Sequence, residues 1–287
     1  MKGIVFAGAL SLLLSFIFTP SLIRILAKRG VGQMIRDDGP KSHHVKRGTP
    51  TMGGIVLISS SIIAYFASHL LTGVGITASA ILVIALIVGL GLVGFLDDWL
   101  KISRKQSTGL TAKQKLLGQA IVAAGFAYSG LHFKDETGLA PISTYFSGVR
   151  DTSLKLGVVF VIIWVIFLVL GSSNGVNLTD GADGLATGSL IMSIGAFAVI
   201  GFWKFNQACD IANLTPNCYN TRDPLDLAVI AAAVVGALIG FLWFNTNPAQ
   251  IFMGDSGSLG LGGALAALAI LSRTEVLLVL VGGLFAI

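Results

Sequence analysis

Charged side chains are scarce in this sequence. They make up 11% of its 287 residues, whereas soluble domains carry about 25%. Hydrophobic residues make up 54%, and the mean hydropathy is +0.85. This composition excludes a water-soluble fold of this size. The 36 glycines are typical of helices that pack closely within a bilayer. The net charge of +5 is first a membrane-orientation signal, so no nucleic-acid partner is expected.

The sequence also lacks short repeats, low-complexity tracts and any polar stretch long enough for a separate soluble domain. Its apolar stretches are about 17 to 25 residues long, which is enough for helices that cross about 30 Å of hydrocarbon. We therefore predict an all-α polytopic membrane protein with about nine transmembrane helices, formed as a single integral membrane domain over residues 1–287. The predicted helices cover residues 3–27, 51–72, 77–99, 116–133, 155–172, 186–203, 225–243 and 257–272, and a ninth begins near Thr274.

Lysine and arginine are distributed unevenly between alternate loops. The loops at 28–50 and 100–115 are rich in both residues, which predicts that they are cytoplasmic. The basic cluster at 24–29 follows the first apolar run, so this run is predicted to be a retained helix with its N-terminus outside. The loops at 174–183 and 245–256 then also lie inside. All the unusual polar segments are thus predicted on one membrane face.

Only two cysteines are present, Cys209 and Cys218, and both fall in one predicted outer loop. An oxidising compartment would favour a disulfide between them. Two unpaired thiols are the alternative.

The first polar segment, residues 37–54, combines basic residues with glycines. Such a loop could hold a phosphate. A juxtamembrane basic run also orients its helix and contacts anionic lipid, which is the simpler interpretation of this loop alone.

Two adjacent carboxylates, Asp97 and Asp98, are expected at the end of the third helix, where carboxylates oppose the helix dipole and are costly near lipid. Adjacent carboxylates suit Mg²⁺, and their mutual repulsion would help one of them to accept a proton. The alternative is an interfacial salt-bridge cluster with the lysines that follow.

Two further segments combine carboxylates, carboxamides and glycines. Residues 174–186 lack the terminal glutamate of a calcium-binding EF-hand, so they are predicted to form a tight polar turn between two helices. In residues 245–260, Asp255 could cap a helix or bind a metal ion.

Taken together, these segments resemble the polyprenyl-phosphate N-acetylhexosamine-1-phosphate transferase family over nearly the whole chain. The stretch GTPTMGG favours the branch that uses UDP-MurNAc-pentapeptide over the branch that uses UDP-GlcNAc. The specific matches are SHHVKRGTPTMGG at 42–54, DDWLK at 97–101, NLTDGADGLA at 177–186 and NPAQIFMGDSGSLGLGG at 247–263.

The resemblance implies ten helices with both termini outside, a Mg²⁺ cofactor and a location in the bacterial inner membrane with the active site on the cytoplasmic face. It implies that phospho-MurNAc-pentapeptide passes from UDP-MurNAc-pentapeptide to undecaprenyl phosphate, giving lipid I and UMP in the first membrane step of peptidoglycan synthesis. Membrane lipid and a second copy of the chain are further implied partners. The family's last cytoplasmic loop, with three histidines, and its final helix have no counterpart here, so residues 1–287 are expected to be truncated.

The family's functional residues match positions in this chain. By resemblance, Asp97, Asp98 and Asp255 are catalytic, Asp255 binds Mg²⁺, and Asp183 is a second candidate ligand. The residues that correspond to the substrate-binding positions are Lys46, Thr51, Lys101, Lys113, Asn177, Asp180, Asp183, Asn245 and Phe252.

Two other functions are weighed against this one. The first is the transfer of GlcNAc-1-phosphate from UDP-GlcNAc. The second is ion or solute transport, but a transporter places its polar residues near the bilayer midplane rather than on one face.

Overall fold

The computed structural model describes residues 1–29, 32, 48–104, 106, 108–209 and 218–285. It contains nine α-helices within these residues, in the predicted order, and a short 3-10 helix at Gly283–Phe285. The helices are α1 (Lys2–Lys28), α2 (Gly54–Thr72), α3 (Ala78–Arg104), α4 (Ala112–His132), α5 (Val158–Thr179), α6 (Leu185–Asn206), α7 (Pro224–Asn245), α8 (Gly254–Leu271) and α9 (Glu275–Val281).

Among the described residues, seven helices are long and apolar enough to cross a membrane. They are α1, α2, α3, α5, α6, α7 and α8. The predicted polytopic helical architecture is therefore confirmed. Two predicted spans fall outside this group: α4 is interrupted by lysines in its first two turns, and α9 has seven residues.

One loop contains a short hairpin that the sequence analysis did not predict. Strands β1 (Tyr145–Ser147) and β2 (Asp151–Lys155) form an antiparallel hairpin between α4 and α5. The strands have three and five residues, which is too short for an alternating hydrophobic pattern to stand out in the sequence.

Two predicted helix ends were wrong, because hydropathy reports where a chain leaves the hydrocarbon rather than where its backbone hydrogen bonds end. Helix α3 continues to Arg104, so Asp97 and Asp98 lie inside the helix instead of ending it. Helix α5 continues to Thr179, so the predicted turn at 174–183 is helical in its first half.

Helix α8 is enclosed by the rest of the protein, and 89% of its residues are buried. It packs mainly against α3 and α5. Glycines permit this approach: a Cβ atom at Gly94 of α3 would overlap the Asp255 carbonyl group, and one at Gly54 would overlap Gly257. The close contact holds the first turn of α8 against α3.

The loop between α6 and α7 contains a disulfide between Cys209 and Cys218, which decides between the two predicted alternatives. The loop lies at the end of the bundle where α8 ends. The Lys204 ammonium at the end of α6 donates to the Ser272 carbonyl, which follows α8. With a rise of about 1.5 Å per residue, α8 separates this end from its own first turn by roughly 27 Å.

Candidate active site

Three carboxylates converge where α3 meets the start of α8. Asp97 and Asp98 come from α3 and Asp255 from the first turn of α8, and one oxygen of each lies within 4.8 Å of the others. Asp97 and Asp98 are buried. The structure thus brings together the three residues that the sequence singled out as catalytic.

Two lysine ammonium groups neutralise part of this cluster. Lys101 Nζ lies 2.6 Å from Asp97 Oδ2 and 2.7 Å from Asp255 Oδ2. The first contact joins residues four apart on one face of α3. Lys115 Nζ, from α4, lies 3.0 Å from Asp255 Oδ2. The salt-bridge cluster considered from the sequence is therefore present, but both lysines converge on Asp255, and only Lys101 also contacts the aspartate pair, at Asp97.

Backbone N–H groups fix the carboxylates of the pair. Asp97 Oδ1 accepts from the Leu110 N–H at 2.6 Å. Asp98 accepts from the N–H groups of Asp255 at 3.3 Å and Ser256 at 3.0 Å. These are first-turn donors of α8 that have no partner within the helix. The capping carboxylate of α8 is therefore Asp98, and Asp255 is left to face the lysines.

Asn177 joins this cluster from the last turn of α5. When its amide is oriented to suit its neighbours, the nitrogen donates to Asp255 Oδ1 and to Ser258 Oγ, both at 2.7 Å, and the oxygen accepts from Lys115 Nζ at 3.1 Å. The Ser258 hydroxyl can then donate to the Gly254 carbonyl at 2.9 Å. Both oxygens of Asp255 therefore have partners.

The turn after α5 is tied to the loop before α8. Asp180 Oδ2 accepts from the Gly254 N–H at 3.0 Å, and Asp183 Oδ2 accepts from the Ala249 N–H at 3.2 Å. Desolvation by the surrounding protein raises the pKa of Asp180 well above its usual range, and the carboxylates of Asp255 and Asp98 raise it further. Asp183 is not one of the three clustered carboxylates.

The first polar segment also reaches the site. Backbone hydrogen bonds join Phe252 to Pro50 at 2.9 Å and to Gly53 at 3.0 Å. A cavity of about 290 Å³ opens beside the carboxylates. Six predicted catalytic or substrate-binding residues line it together with Asp255: Thr51, Asp98, Lys101, Asn177, Asp180 and Phe252.

Three other predicted substrate-binding residues, Asp183, Asn245 and Lys113, do not line this cavity. Asn245 is buried at the end of α7, where it accepts from Thr187 Oγ1 at 2.6 Å and donates to the Ile251 carbonyl at 2.9 Å. It therefore supports the loop before α8. Lys113 is exposed, and Lys46 lies outside the described residues.

The sequence analysis did not single out Lys115 as a site residue; Lys115 was counted only among the basic residues that follow Asp97 and Asp98. Thr111 and Gln114 form a capping box that starts α4, which places Lys115 one turn inside. Lys115 shares a face with Gln119 and Ala123, both of which are buried, and Gln119 accepts from Asn174 Nδ2 of α5 at 2.7 Å. Positions 115, 119 and 123 are four residues apart and therefore lie on one face of the helix. This spacing could have distinguished Lys115, on the buried face, from Lys113.

The donor set fits a hard divalent cation. Three carboxylates within 4.8 Å of one another offer the oxygen ligands that Mg²⁺ takes in proteins. The two ammonium groups already show that the cluster attracts positive charge. Asp97, Asp98 and Asp255 are the residues that could hold such an ion.

Comparisons with known proteins agree with this arrangement. Residues 79–273 match the family model described as glycosyl transferase family 4, and residues 46–58 match the phospho-N-acetylmuramoyl-pentapeptide-transferase signature 1. A phospho-N-acetylmuramoyl-pentapeptide-transferase of Streptomyces avermitilis is 56% identical over 99% of this chain and 81% of its own length. Proteins with the same name from Clavibacter sepedonicus and Frankia alni are 55% and 52% identical over the whole chain, which covers 82% and 81% of their lengths. The chain therefore belongs to glycosyl transferase family 4 and, within it, to the phospho-N-acetylmuramoyl-pentapeptide-transferases.

Proposed function

We propose that this transferase moves phospho-MurNAc-pentapeptide from UDP-MurNAc-pentapeptide to undecaprenyl phosphate, releasing UMP and forming lipid I. The single observation that carries the proposal is the cluster of Asp97, Asp98 and Asp255 with two lysines at one end of a membrane-spanning bundle, in a chain with relatives of that name. A cavity at this end can receive a water-soluble nucleotide while the lipid stays in the bilayer.

The reaction exchanges one phosphoric anhydride bond for another. An oxygen of undecaprenyl phosphate attacks the phosphorus that is linked to the sugar, and the bond from that phosphorus to the UMP oxygen breaks. Both reactants are anionic, so much of the barrier is charge repulsion. The Lys101 and Lys115 ammonium groups can reduce this repulsion by binding phosphate oxygens.

Mg²⁺ is the proposed cofactor, and when bound it would neutralise charge on the phosphate oxygens. Asp255 is the proposed principal ligand because it faces the cavity between the two lysines. Asp98 also lines the cavity and is the proposed group that positions or deprotonates the lipid phosphate. Asp97, fixed by Lys101 and the Leu110 N–H, would orient Lys101.

The proposed location is the bacterial inner membrane, with the carboxylate cluster on the cytoplasmic face. The asymmetry of lysine and arginine between alternate loops supports this orientation. The disulfide at the opposite end of the bundle also supports it, since disulfides persist in oxidising compartments.

Donor specificity tests the proposal directly. Purified full-length protein is incubated with undecaprenyl phosphate, Mg²⁺ and either UDP-MurNAc-pentapeptide or UDP-GlcNAc, and UMP is measured. We expect UMP from the first donor and little from the second. Faster release from UDP-GlcNAc would assign the protein to the alternative reaction, and no UMP from either donor would refute the proposed chemistry.

A further inference from the structure

A second cavity, of about 340 Å³, lies at the end of the bundle opposite the carboxylate cluster. One wall is apolar and is formed by Val199 and Ile200 of α6 and Leu277 of α9. The mouth is polar and contains Arg150, Lys204 and Tyr219. We call this cavity the α6–α9 groove. The apolar wall suits a hydrocarbon chain, and the polar mouth suits a charged headgroup.

Within the described part of the chain, the buried ammonium at the mouth is held by backbone carbonyls and not by a direct ion pair. Lys204 is 6% exposed, and its Nζ donates to the carbonyl groups of Ser272 and Val149. No carboxylate of the described residues forms an ion pair with it. The nearby carboxylate of Asp151 is instead bound to Arg273 at 2.6 Å. A buried cation that lacks a carboxylate partner favours an anion in the adjacent space.

Tyr219 holds two of these cations together. The Lys204 ammonium lies 5.0 Å from the centre of its ring, and the Arg150 guanidinium lies 5.4 Å from it. The Tyr219 N–H donates to the Gln207 carbonyl at 2.9 Å. The disulfide joins Cys209 to Cys218, the residue that precedes Tyr219. The positive mouth is therefore built by several elements and does not depend on one mobile surface side chain.

The position of the α6–α9 groove along the bundle is the one expected for a membrane–water interface. Trp203 lines it near the end of α6 and is 65% exposed. Tryptophan and tyrosine are enriched where a bilayer meets water. Below this level the apolar wall continues along α6, where Val199 is also 65% exposed, so the groove is open toward lipid.

We propose that the α6–α9 groove binds an anionic phospholipid from the leaflet opposite the active site. Arg150 and the remaining N–H of Lys204 receive the phosphate oxygens, and one acyl chain lies along Val199, Ile200 and Leu277. A zwitterionic lipid has the same chain but carries a cationic group that the mouth repels. The groove therefore selects lipids by headgroup charge.

Competitive lipid retention tests this site. Delipidated full-length protein is incubated with equal amounts of phosphatidylglycerol and phosphatidylcholine with identical acyl chains, and retained lipid is measured by mass spectrometry after gel filtration. We expect the wild-type protein to retain mainly phosphatidylglycerol. Arg150→Gln should weaken this preference about fivefold, the contribution of one basic side chain near a membrane surface. Lys155→Gln removes an exposed cation from the same hairpin and should have no effect.

A second readout reports on the α6–α9 groove itself. Phosphatidylglycerol with brominated acyl chains should quench tryptophan fluorescence more strongly than brominated phosphatidylcholine, and Trp203→Phe should abolish the difference. Equal retention of both lipids, or an unchanged preference in Arg150→Gln, would overturn the proposal. Displacement of the lipid by millimolar inorganic phosphate would also overturn it, because the groove would then bind free anions.

Discussion

The Asp98 carboxylate accepts a hydrogen bond from the backbone N–H of Ser256 at 3.0 Å. This contact joins α3 to the first turn of α8 across 158 positions of sequence. The same carboxylate also accepts from the N–H of Asp255. One side chain therefore fixes the backbone from which Asp255 projects into the cluster. The proposed chemistry and the packing of two membrane helices consequently depend on the same carboxylate.

Replacing Asp98 with asparagine should separate these two roles. The single amide oxygen of Asp98→Asn can still accept from one of the two α8 N–H groups but cannot receive a proton, so the kcat for UMP release should fall about 100-fold or more. Binding of UDP-MurNAc-pentapeptide, measured by calorimetry, should be retained. Asp98→Ala also removes the capping acceptor and should lower thermal stability. Normal turnover in Asp98→Asn would contradict the assigned role.

Asp255→Asn should raise the requirement for Mg²⁺ and abolish most UMP release, because a neutral amide is a much weaker ligand for a hard cation. The variant should fold, since its backbone N–H still reaches Asp98. The measurement is UMP release over a magnesium titration. Glu136→Gln, an exposed change in the loop between α4 and the hairpin, is the control. An unchanged magnesium dependence would show that Asp255 is not the principal ligand.

Two lysines of α4 provide a matched comparison. Lys115→Met removes a contact to Asp255, and hydrogen bonds to charged groups contribute about 1.5–3 kcal/mol, so kcat/KM should fall about 10- to 100-fold. Lys113→Met changes an exposed side chain and should alter kcat/KM by about twofold at most. The two variants are compared by initial rates of UMP release. A larger effect at Lys113 would favour the position indicated by the sequence resemblance.

Gly94→Ala should destabilise the protein, because the added Cβ would overlap the Asp255 carbonyl group. Overpacking of this kind costs about 1–3 kcal/mol. Gly125→Ala is the control: no atom lies within 4 Å of a Cβ there, and alanine favours a helix over glycine by about 1 kcal/mol. The melting temperature measured in detergent should therefore fall for Gly94→Ala and rise for Gly125→Ala. Equal melting temperatures would show that α3 and α8 tolerate a wider spacing.

Single cysteines test the orientation. Thr108→Cys lies near the carboxylate cluster and Glu136→Cys lies in the loop after α4, and both positions are exposed. An impermeant thiol reagent added to intact cells should label position 136 only, while position 108 should react after the inner membrane is opened. Labelling of position 108 from outside would reverse the proposed topology.

The sequence predicted the helices because hydrophobicity is a local property of the chain. It also placed Asp97, Asp98 and Asp255 on one face, since the alternation of loops determines the face of each segment. The capping of α8 by Asp98 was not predicted, because that contact depends on how closely two helices approach. The glycine at position 94 makes this approach possible, but a sequence does not state which partner a glycine meets.

The choice between Lys113 and Lys115 illustrates a second limit. Both residues lie in the first two turns of α4, and only the rotation of the helix about its axis decides which one points inward. Buried Gln119, one turn further along, fixes that rotation by pairing with Asn174. Asn174 belongs to α5, so the contact that fixes the rotation of α4 involves a residue 55 positions away in the sequence.

The enclosure of α8 has a consequence for biosynthesis. This helix is the least apolar of the seven candidate spans and the most completely covered by protein, so lipid alone would stabilise it less than any of the others. Its main neighbours, α3 and α5, leave the ribosome first because they precede it in the chain. When α8 enters the membrane, it therefore packs against helices that are already inserted rather than against lipid. The glycines of α8 make its insertion into lipid less favourable but allow closer packing against α3 and α5.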